Sequence, residues 1–411
     1  MMEHIGISAK KASQKMVSLS TDVKNNVLKA VSKSLVQRQE EILVANQMDY
    51  ALASENNIGA ALLDRLLLNE ARIQSMADGI SVIVQSDDPI GTIQSSKMIQ
   101  EGLSLEKITV PLGVVGIIYE SRPNVSVDAF ALSFKAGNAI ILKGGKEAIE
   151  SNKVLVQIIQ DVLEDFNLDP NTVQLIERTD REATYEFMKM DSYVDVLIPR
   201  GSAALIKATV LNSTIPIIKT GDGNCHLYVH ESYDEKVALD IVENGKCQRV
   251  GVCNALESLV VDRSIAANFI PKMITRLKDV TFVGDLECMS FDSRIEMMDD
   301  HDYAHEYLDL KMSIKLVDTV SEAIEHINTY NTQHSDAIIA QDESVQNAFI
   351  QGVDTACLYV NASTRFTDGA QFGLGAEMGV STQKLHVRGP MGLESLCSYK
   401  YIIKGNGHTR S

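Results

Sequence analysis

Residues 112–146 read LGVVGIIYESRPNVSVDAFALSFKAGNAIILKGGK. The run Gly113-Val114-Val115-Gly116-Ile117-Ile118 holds no polar side chain. That pattern suits a strand buried on both faces. Ala139-Ile140-Ile141-Leu142 repeats it in shorter form. Between the two, Ser126 suits the N-cap of a helix that runs through Ala136 and ends at Gly137, before Asn138. A strand, a helix and a second buried strand form the unit from which parallel sheets are built.

The alternation continues outward. Residues 147–166 read as a helix with Leu155, Ile158, Ile159 and Val162 on one side. Residues 173–176 and 194–198 read as strands with a helix between them. After Cys253 the pattern resumes, with strands at 259–261, 313–317, 337–340 and 358–360 and helices at 265–277, 321–330 and 344–351. This predicts an α/β protein with a doubly wound parallel sheet and a second α/β domain. Upstream, residues 21–48 read as one helix, with Val27, Val31 and Leu35 spaced by four. Residues 62–84 read as another, and Asp87, Asp88, Pro89 and Gly91 break the pattern. The acidic stretch 298–306 reads as a surface loop. Tyr399-Lys400-Tyr401-Ile402-Ile403 gives a strand signal with no helix after it. No repeat, low-complexity tract or long linker interrupts the chain.

Composition narrows the partners. Lys plus Arg number 38 against 55 Asp plus Glu, a net charge of −17, so phosphate backbones and anionic lipid are repelled. Neither nucleic acid nor membrane is expected as a partner. A few local cations can still dominate a cleft, so an anionic substrate remains open. Residues 1–15 carry no apolar run of signal-peptide length, and no window is apolar for long enough to span a bilayer. The six cysteines are scattered, which fits reduced thiols and a cytoplasmic protein better than a disulfide framework.

Four segments carry candidate chemistry. In residues 138–147 a strand ends in Lys143, followed by Gly144, Gly145 and Lys146. Glycines there let a ligand approach the backbone, and lysines supply charge for ribose or phosphate. A solvated strand-to-helix turn explains the same string. In residues 194–208 Gly201-Ser202 follows a strand and opens a helix, an anion-binding end or an ordinary capped start. In residues 244–257 Cys253 follows a glycine-containing turn near Lys246 and Arg249. A lowered thiol pKa there would make a nucleophile, and a buried structural cysteine is the alternative. In residues 360–377 a glycine-rich polar loop carries Arg365, which can grip a carboxylate or phosphate with two parallel hydrogen bonds. Cys225-His226 is a poor zinc pair, because adjacent residues on an extended segment point to opposite faces and no CxxC accompanies them. No metal is expected.

These segments, in this order, resemble the gamma-glutamyl phosphate reductases of the aldehyde dehydrogenase superfamily. The strings that carry the resemblance are VPLGVVGIIYESRPNVSVDAF, GNAIILKGGKEAIESN, GDGNCHLYV, GKCQRVGVCNALE, YVNASTRFTDGAQFGLGAEMGVSTQKLHVRGPMGLESL and SYKY, with LLDRLLLNEARIQSMADGI upstream. They cover nearly the whole chain. The resemblance implies reduction of L-glutamyl 5-phosphate to glutamate 5-semialdehyde, with NADPH as hydride donor and phosphate released, the second step from glutamate to proline. It implies that Cys253, in the GVCNA segment, is the nucleophile that forms a thioester. It puts Asn124 and the backbone N–H of Cys253 at the oxyanion hole. Lys143, Gly144, Lys146, Gly201 and Ser202 fall to the cofactor, with Glu306 on the nicotinamide ribose. The cation at Lys146 suits a 2′-phosphate and hence NADPH over NAD. Arg122, Arg249 and Arg365 are the candidates for the substrate's anionic groups.

The resemblance further implies an aldehyde dehydrogenase-like fold in three parts. These are an NADPH-binding domain at 1–102 and 113–222, a catalytic domain at 223–394, and an oligomerisation extension at 103–112 and 395–411. An exposed sheet edge on that extension predicts a homodimer or larger homo-oligomer. The lability of an acyl phosphate raises association with a glutamate kinase as a hypothesis. Hydrolytic aldehyde dehydrogenases carry a glutamate general base around residues 219–223, where this chain has none, although Asp222 is near. That absence favours reduction, since a thioester awaiting hydride needs shelter from activated water. An aldehyde-oxidising enzyme and a scaffold without turnover are the rival readings. The family generally has alanine, proline and glycine where this chain has Gly245, Val250 and Gln333.

Overall fold

The computed structural model describes residues 2–56, 58–299 and 301–410, leaving aside the side chains at 60 and 61. The chain divides into two compact units. One comprises Met1–Lys219, Gly373–Gly379 and Met391–Ser411, and the other Thr220–Phe372 and Val380–Pro390.

The first unit is built on a parallel sheet in the order Val173–Leu175, Ala139–Lys143, Val114–Tyr119, Val196–Arg200. Every residue of Val114–Tyr119 and Ala139–Lys143 is buried, as an apolar run without alternation requires. On one face Val114, Ile118, Ala139 and Ile141 pack with Met2 and Ala9. Met2 and Ala9 belong to the helix Met2–Met16, which the sequence reading did not anticipate. By the pleat, Val115, Ile117, Ile140 and Leu142 face the other way, and they are equally buried.

Three local expectations need correction. Residues 21–48 are not one helix: Thr21–Gln37 ends at Arg38 and Gln39–Glu55 begins there. Arg38 leaves helical geometry at φ −104° and ψ 22°, and its guanidinium pairs with Asp161 and Glu41. Residues 62–84 likewise divide into Ala60–Leu66 and Glu70–Gln85. Asn69 caps the second helix, its side chain accepting from the Arg72 N–H at 2.8 Å. Ser126 is no N-cap, because the helix already starts at Asn124. Its hydroxyl instead bonds the Tyr119 hydroxyl at 2.6 Å and donates to Asn152 at 2.9 Å. Burial of Tyr119 beneath the helix outweighs the local capping preference of serine.

The same unit carries a three-stranded antiparallel sheet, with Leu103–Pro111 between Ile93–Gln100 and Cys397–Lys404. The last of these contains the aromatic tail strand expected from residues 395–404, and Tyr399 pairs with Thr109 and Tyr401 with Lys107. Ile93–Gln100 was not anticipated. It is exposed at all eight positions, so no burial pattern marks it. Asn138 ties the two sheets together. It accepts from the Gly113 N–H at 2.8 Å and donates to the Leu396 carbonyl at 2.9 Å.

The second unit holds seven parallel strands in the order Ile295–Met297, Thr281–Gly284, Lys311–Val317, Leu256–Asp262, Cys225–Val229, Ser335–Ile339, Cys357–Val360. Two apolar clusters flank it. Ala238, Val242, Phe269 and Met273 from the helices Glu235–Cys247 and Arg263–Arg276 form part of one. Ala323, Ile327 and Phe349 from Val320–Tyr330 and Glu343–Gly352 form part of the other. Helices therefore cover both faces of this sheet, which makes the second unit the α/β domain expected. The acidic stretch near 298–306 is less of a surface loop than expected, since Asp302 and Tyr303 are buried and lie in a short 3-10 turn; Asp300 lies outside the described residues. No described helix is long and apolar enough to cross a membrane.

Candidate active site

In the first unit, the predicted cofactor residues gather where parallel strands end. Val114–Tyr119 pairs with Ala139–Lys143 on one side and Val196–Arg200 on the other. Their carboxyl ends deliver Glu120, then Lys143-Gly144-Gly145-Lys146, then Gly201-Ser202 to one edge of the sheet. Lys143 is buried, and its ammonium donates to the Gly144 carbonyl at 3.2 Å. Burial lowers its pKa, while Asp180 and Glu147 pull it back up. Lys146 is exposed, at the start of the 3-10 turn Lys146–Ala148. A Cβ on Gly144 would meet the Asn152 amide nitrogen, so that side chain would have to shift to admit one.

Ser202 caps the helix Ala203–Asn212, one of the two readings its sequence left open. The anion at its head is internal: Glu120 accepts from the Ser202 N–H at 2.8 Å and from its hydroxyl at 2.9 Å. Glu120 was not singled out by the sequence. Its position one residue past a buried strand was the available signal. Asn124 opens the helix Asn124–Lys135, and its amide donates to Asp128 one turn on at 2.9 Å. Burial pushes the Asp128 carboxyl up, while that hydrogen bond and the charge of Arg200 oppose the shift. Arg122 is half-buried two residues before Asn124.

In the second unit, the residues around Cys253 meet at the amino ends of the strands. Cys253 precedes Leu256–Asp262, Gly223 precedes Cys225–Val229, Glu306 precedes Lys311–Val317 and His334 precedes Ser335–Ile339. Cys253 itself is half-buried. A Cβ on Gly223 would overlap the carbonyl carbon and oxygen of Cys253, so these backbones are in direct contact. Cys225 donates its S–H to the same carbonyl at 3.2 Å. The loop after Cys357–Val360 clamps the next residue. Thr364 donates to the Asn254 carbonyl at 2.8 Å, and the Asn254 amide donates to the Thr367 carbonyl at 2.9 Å. Two strings far apart in sequence, GVCNA and NASTRFTDG, thus form one structure.

The charges around this loop are arranged differently from the simplest expectation. Lys246 is fully buried and donates to Glu257 at 2.7 Å. Its charge is spent on that carboxylate, whose pKa burial raises to about 7. Of the cations that the sequence singled out in this unit, that leaves Arg249 and Arg365. Arg249 is exposed. Arg365 donates to Gln248 at 2.9 Å, and burial together with the charge of Arg249 lowers its pKa, against the pull of Cys253. Glu306 accepts from the Gly223 N–H at 2.7 Å, which sets its carboxylate beside the backbone that supports Cys253. Three other cysteines are buried, and their thiols hold their protons more firmly than a free thiol. Burial pushes the thiols of Cys288 and Cys397 to about 12, and that of Cys225 well above its ordinary value.

The sequence model of the aldehyde dehydrogenase family matches residues 2–293. A gamma-glutamyl phosphate reductase of Lachnospira eligens is 50% identical over 411 residues, which is 100% of this chain and 99% of that one. The chain belongs to the gamma-glutamyl phosphate reductase family. A second such reductase, from Heliobacterium modesticaldum, is 49% identical over 98% of both chains. The crystal structure of the family member from Thermotoga maritima superimposes with a TM-score of 0.98 at 40% identity, over 100% of each chain. An acetylating aldehyde dehydrogenase from Geobacillus thermoglucosidasius shares the fold, with a TM-score of 0.71 over 100% of this chain and 97% of its own. The aldehyde dehydrogenase-like α/β fold is thus established.

Two departures from the family pattern now have a structural setting. Gln333 sits at φ 60°, the left-handed region where the family's glycine costs nothing. Gly245 lies inside the helix Glu235–Cys247, not in the turn before Cys253, and a Cβ there would stand 3.2 Å from Leu256 Cβ. The alanine usual in the family would need a small shift of that strand.

Proposed function

We propose that this protein reduces L-glutamyl 5-phosphate to L-glutamate 5-semialdehyde with NADPH, releasing phosphate, through a thioester on Cys253. This is the second step of proline biosynthesis from glutamate, carried out in the cytoplasm. The observation that carries the reading is the Cys253 loop. A half-buried thiol is held on a backbone braced by Gly223, Cys225 and the Thr364–Thr367 segment, with Arg249 and Arg365 as nearby cations. The names of relatives that match the whole chain supply the substrate.

In this reading the Cys253 thiolate attacks the acyl carbon. The C–S bond forms, the C–O bond to phosphate breaks, and phosphate leaves with the electron pair. Asn124 and the Cys253 N–H are the oxyanion donors. Arg122, Arg249 and Arg365 take the phosphate and α-carboxylate. With NADPH bound, its hydride would reduce the acyl group to the aldehyde level, and the Cys253 thiolate would leave as the C–S bond breaks. Lys143, Gly144, Lys146, Gly201 and Ser202 would hold the cofactor, with Glu306 on its nicotinamide ribose. The donor set fits an anion, since Ser202 already binds a carboxylate through its N–H and hydroxyl. The exposed edges Ile93–Gln100 and Cys397–Lys404 support a homodimer or larger homo-oligomer. Association with a glutamate kinase, which would shelter the labile substrate, belongs to the same proposal.

The test is NADP⁺ reduction in the reverse direction, from glutamate 5-semialdehyde with and without inorganic phosphate, for wild type and Cys253→Ala. Phosphate-dependent NADPH formation that disappears in the variant is expected. Turnover that ignores phosphate would replace this reading with a hydrolytic aldehyde dehydrogenase.

A further inference from the structure

Cys225 stands at the first position of a core strand, with no exposed surface. A buried cysteine usually acts as a small apolar side chain. This one has a polar duty. Its Sγ lies 3.2 Å from the carbonyl oxygen of Cys253 and 4.0 Å from Nδ1 of His334. From His334 a line of hydrogen bonds runs to the Ser335 hydroxyl at 2.8 Å, the Thr367 hydroxyl at 2.6 Å and the Tyr359 hydroxyl at 2.7 Å. Thr367 belongs to the loop whose carbonyl receives the Asn254 amide. Cys225 therefore links the peptide just after Cys253 to the loop that clamps Asn254.

We propose that Cys225 is a positioning residue for the nucleophile, fixing the peptide between Cys253 and Asn254 by its S–H bond to the Cys253 carbonyl. This rests on the reading of Cys253 as the nucleophile. The orientation of that peptide sets the backbone from which the Cys253 side chain projects. Gly223 approaches the same carbonyl so closely that no side chain fits there. The carbonyl is thus pressed by one residue and hydrogen-bonded by another on the same strand entry. The thiol keeps its proton for this purpose. Burial and the negative groups Asp336, Cys253, Glu257 and Glu306 raise its pKa well above the ordinary value. A donor that never ionises near neutral pH does not compete with Cys253 for an electrophile. Serine would preserve the donor, but on a shorter bond to carbon. Alanine would leave a buried carbonyl without that partner.

The experiment compares Cys225→Ala and Cys225→Ser with wild type and Cys253→Ala. Phosphate-dependent turnover is measured with KM for glutamate 5-semialdehyde, NADP⁺ and phosphate, alongside the rate at which iodoacetamide alkylates Cys253. Circular dichroism and thermal unfolding check that each variant is folded. For Cys225→Ala, kcat should fall on the order of tenfold or more with little change in KM, because misplacement of a reacting atom acts on the chemical step. Cys225→Ser should recover most of that loss. Wild-type kcat and alkylation rate in a folded Cys225→Ala would overturn the proposal, as would equal losses in the alanine and serine variants. Full activity in Cys253→Ala would instead overturn the nucleophile assignment, whatever Cys225 does.

Discussion

Glu120 places its carboxylate on Ser202 at the head of the helix Ala203–Asn212, with contacts of 2.8 Å to the N–H and 2.9 Å to the hydroxyl. An acidic side chain occupies donors that a cofactor phosphate would use. A Cβ on Gly201 would also meet that carboxylate, at 2.6 Å. The helix end is thus matched to negative charge before any ligand arrives.

A consequence is competition. Glu120→Gln removes the charge that a phosphate bound at Ser202 would have to displace. NADPH affinity, read by fluorescence titration, should rise about two- to fivefold, the range that a charge at a helix terminus commands. Unchanged or weaker binding would mean that cofactor and carboxylate do not share these donors.

Gly223 predicts a sharper loss. In Gly223→Ala the new methyl group overlaps the Cys253 carbonyl, so the Cys253 backbone has to move. Turnover should fall on the order of a hundredfold, with circular dichroism unchanged. Activity within about twofold of wild type would show that the loop adapts without disturbing the thiol.

Acid stability follows from two buried histidines. Burial lowers the pKa of His326 to about 3 and of His334 to about 4, from 6.5. The Nε2 of each lacks a hydrogen-bond partner, as befits a neutral ring. As pH falls below 6.5 the unfolded chain takes up these protons and the folded chain does not. Stability that is complete above 6.5 is therefore lost as pH falls toward the folded values, by at most about 1.4 kcal/mol per pH unit for each histidine. His326 packs against the rings of Tyr303 at 4.7 Å and Tyr330 at 4.9 Å, so phenylalanine is a reasonable replacement. Urea midpoints from about pH 7 to about pH 5 should fall less steeply in His326→Phe, by about one proton. Equal slopes would place the charged ring in the native state.

Gln333 offers a test of backbone strain. At φ 60° a residue with a Cβ is disfavoured, and its side chain also donates to Asp354 at 3.1 Å. Comparing Gln333→Gly with Gln333→Ala removes that hydrogen bond from both. The glycine variant should be more stable by about 1 kcal/mol in urea unfolding. A more stable alanine variant would mean that the loop relaxes out of the left-handed region.

Residues 112–146 and the later apolar runs determined the α/β class, because a strand buried on both faces can be written only in apolar residues. The sequence motifs also picked out Cys253, Ser202 and the Lys143–Lys146 turn, since glycines and capping residues act over a few positions. Exposed Ile93–Gln100 left no periodic trace, and the helix break at Arg38 has its distant partner in Asp161, whereas the Asn69 cap on Arg72 is a local signal that the periodicity reading passed over. Tertiary structure alone decided that Lys246 serves Glu257, that Glu120 fills the head of the Ser202 helix, and that Cys225 holds the Cys253 carbonyl. Each of the last two joins residues more than twenty-five apart, a pairing that local propensity does not encode. Lys246 and Glu257 are closer, at eleven residues, yet only the packing of a helix against a strand buries them together. Chain folding brings such groups within hydrogen-bond reach, and burial then makes the contact energetically obligatory.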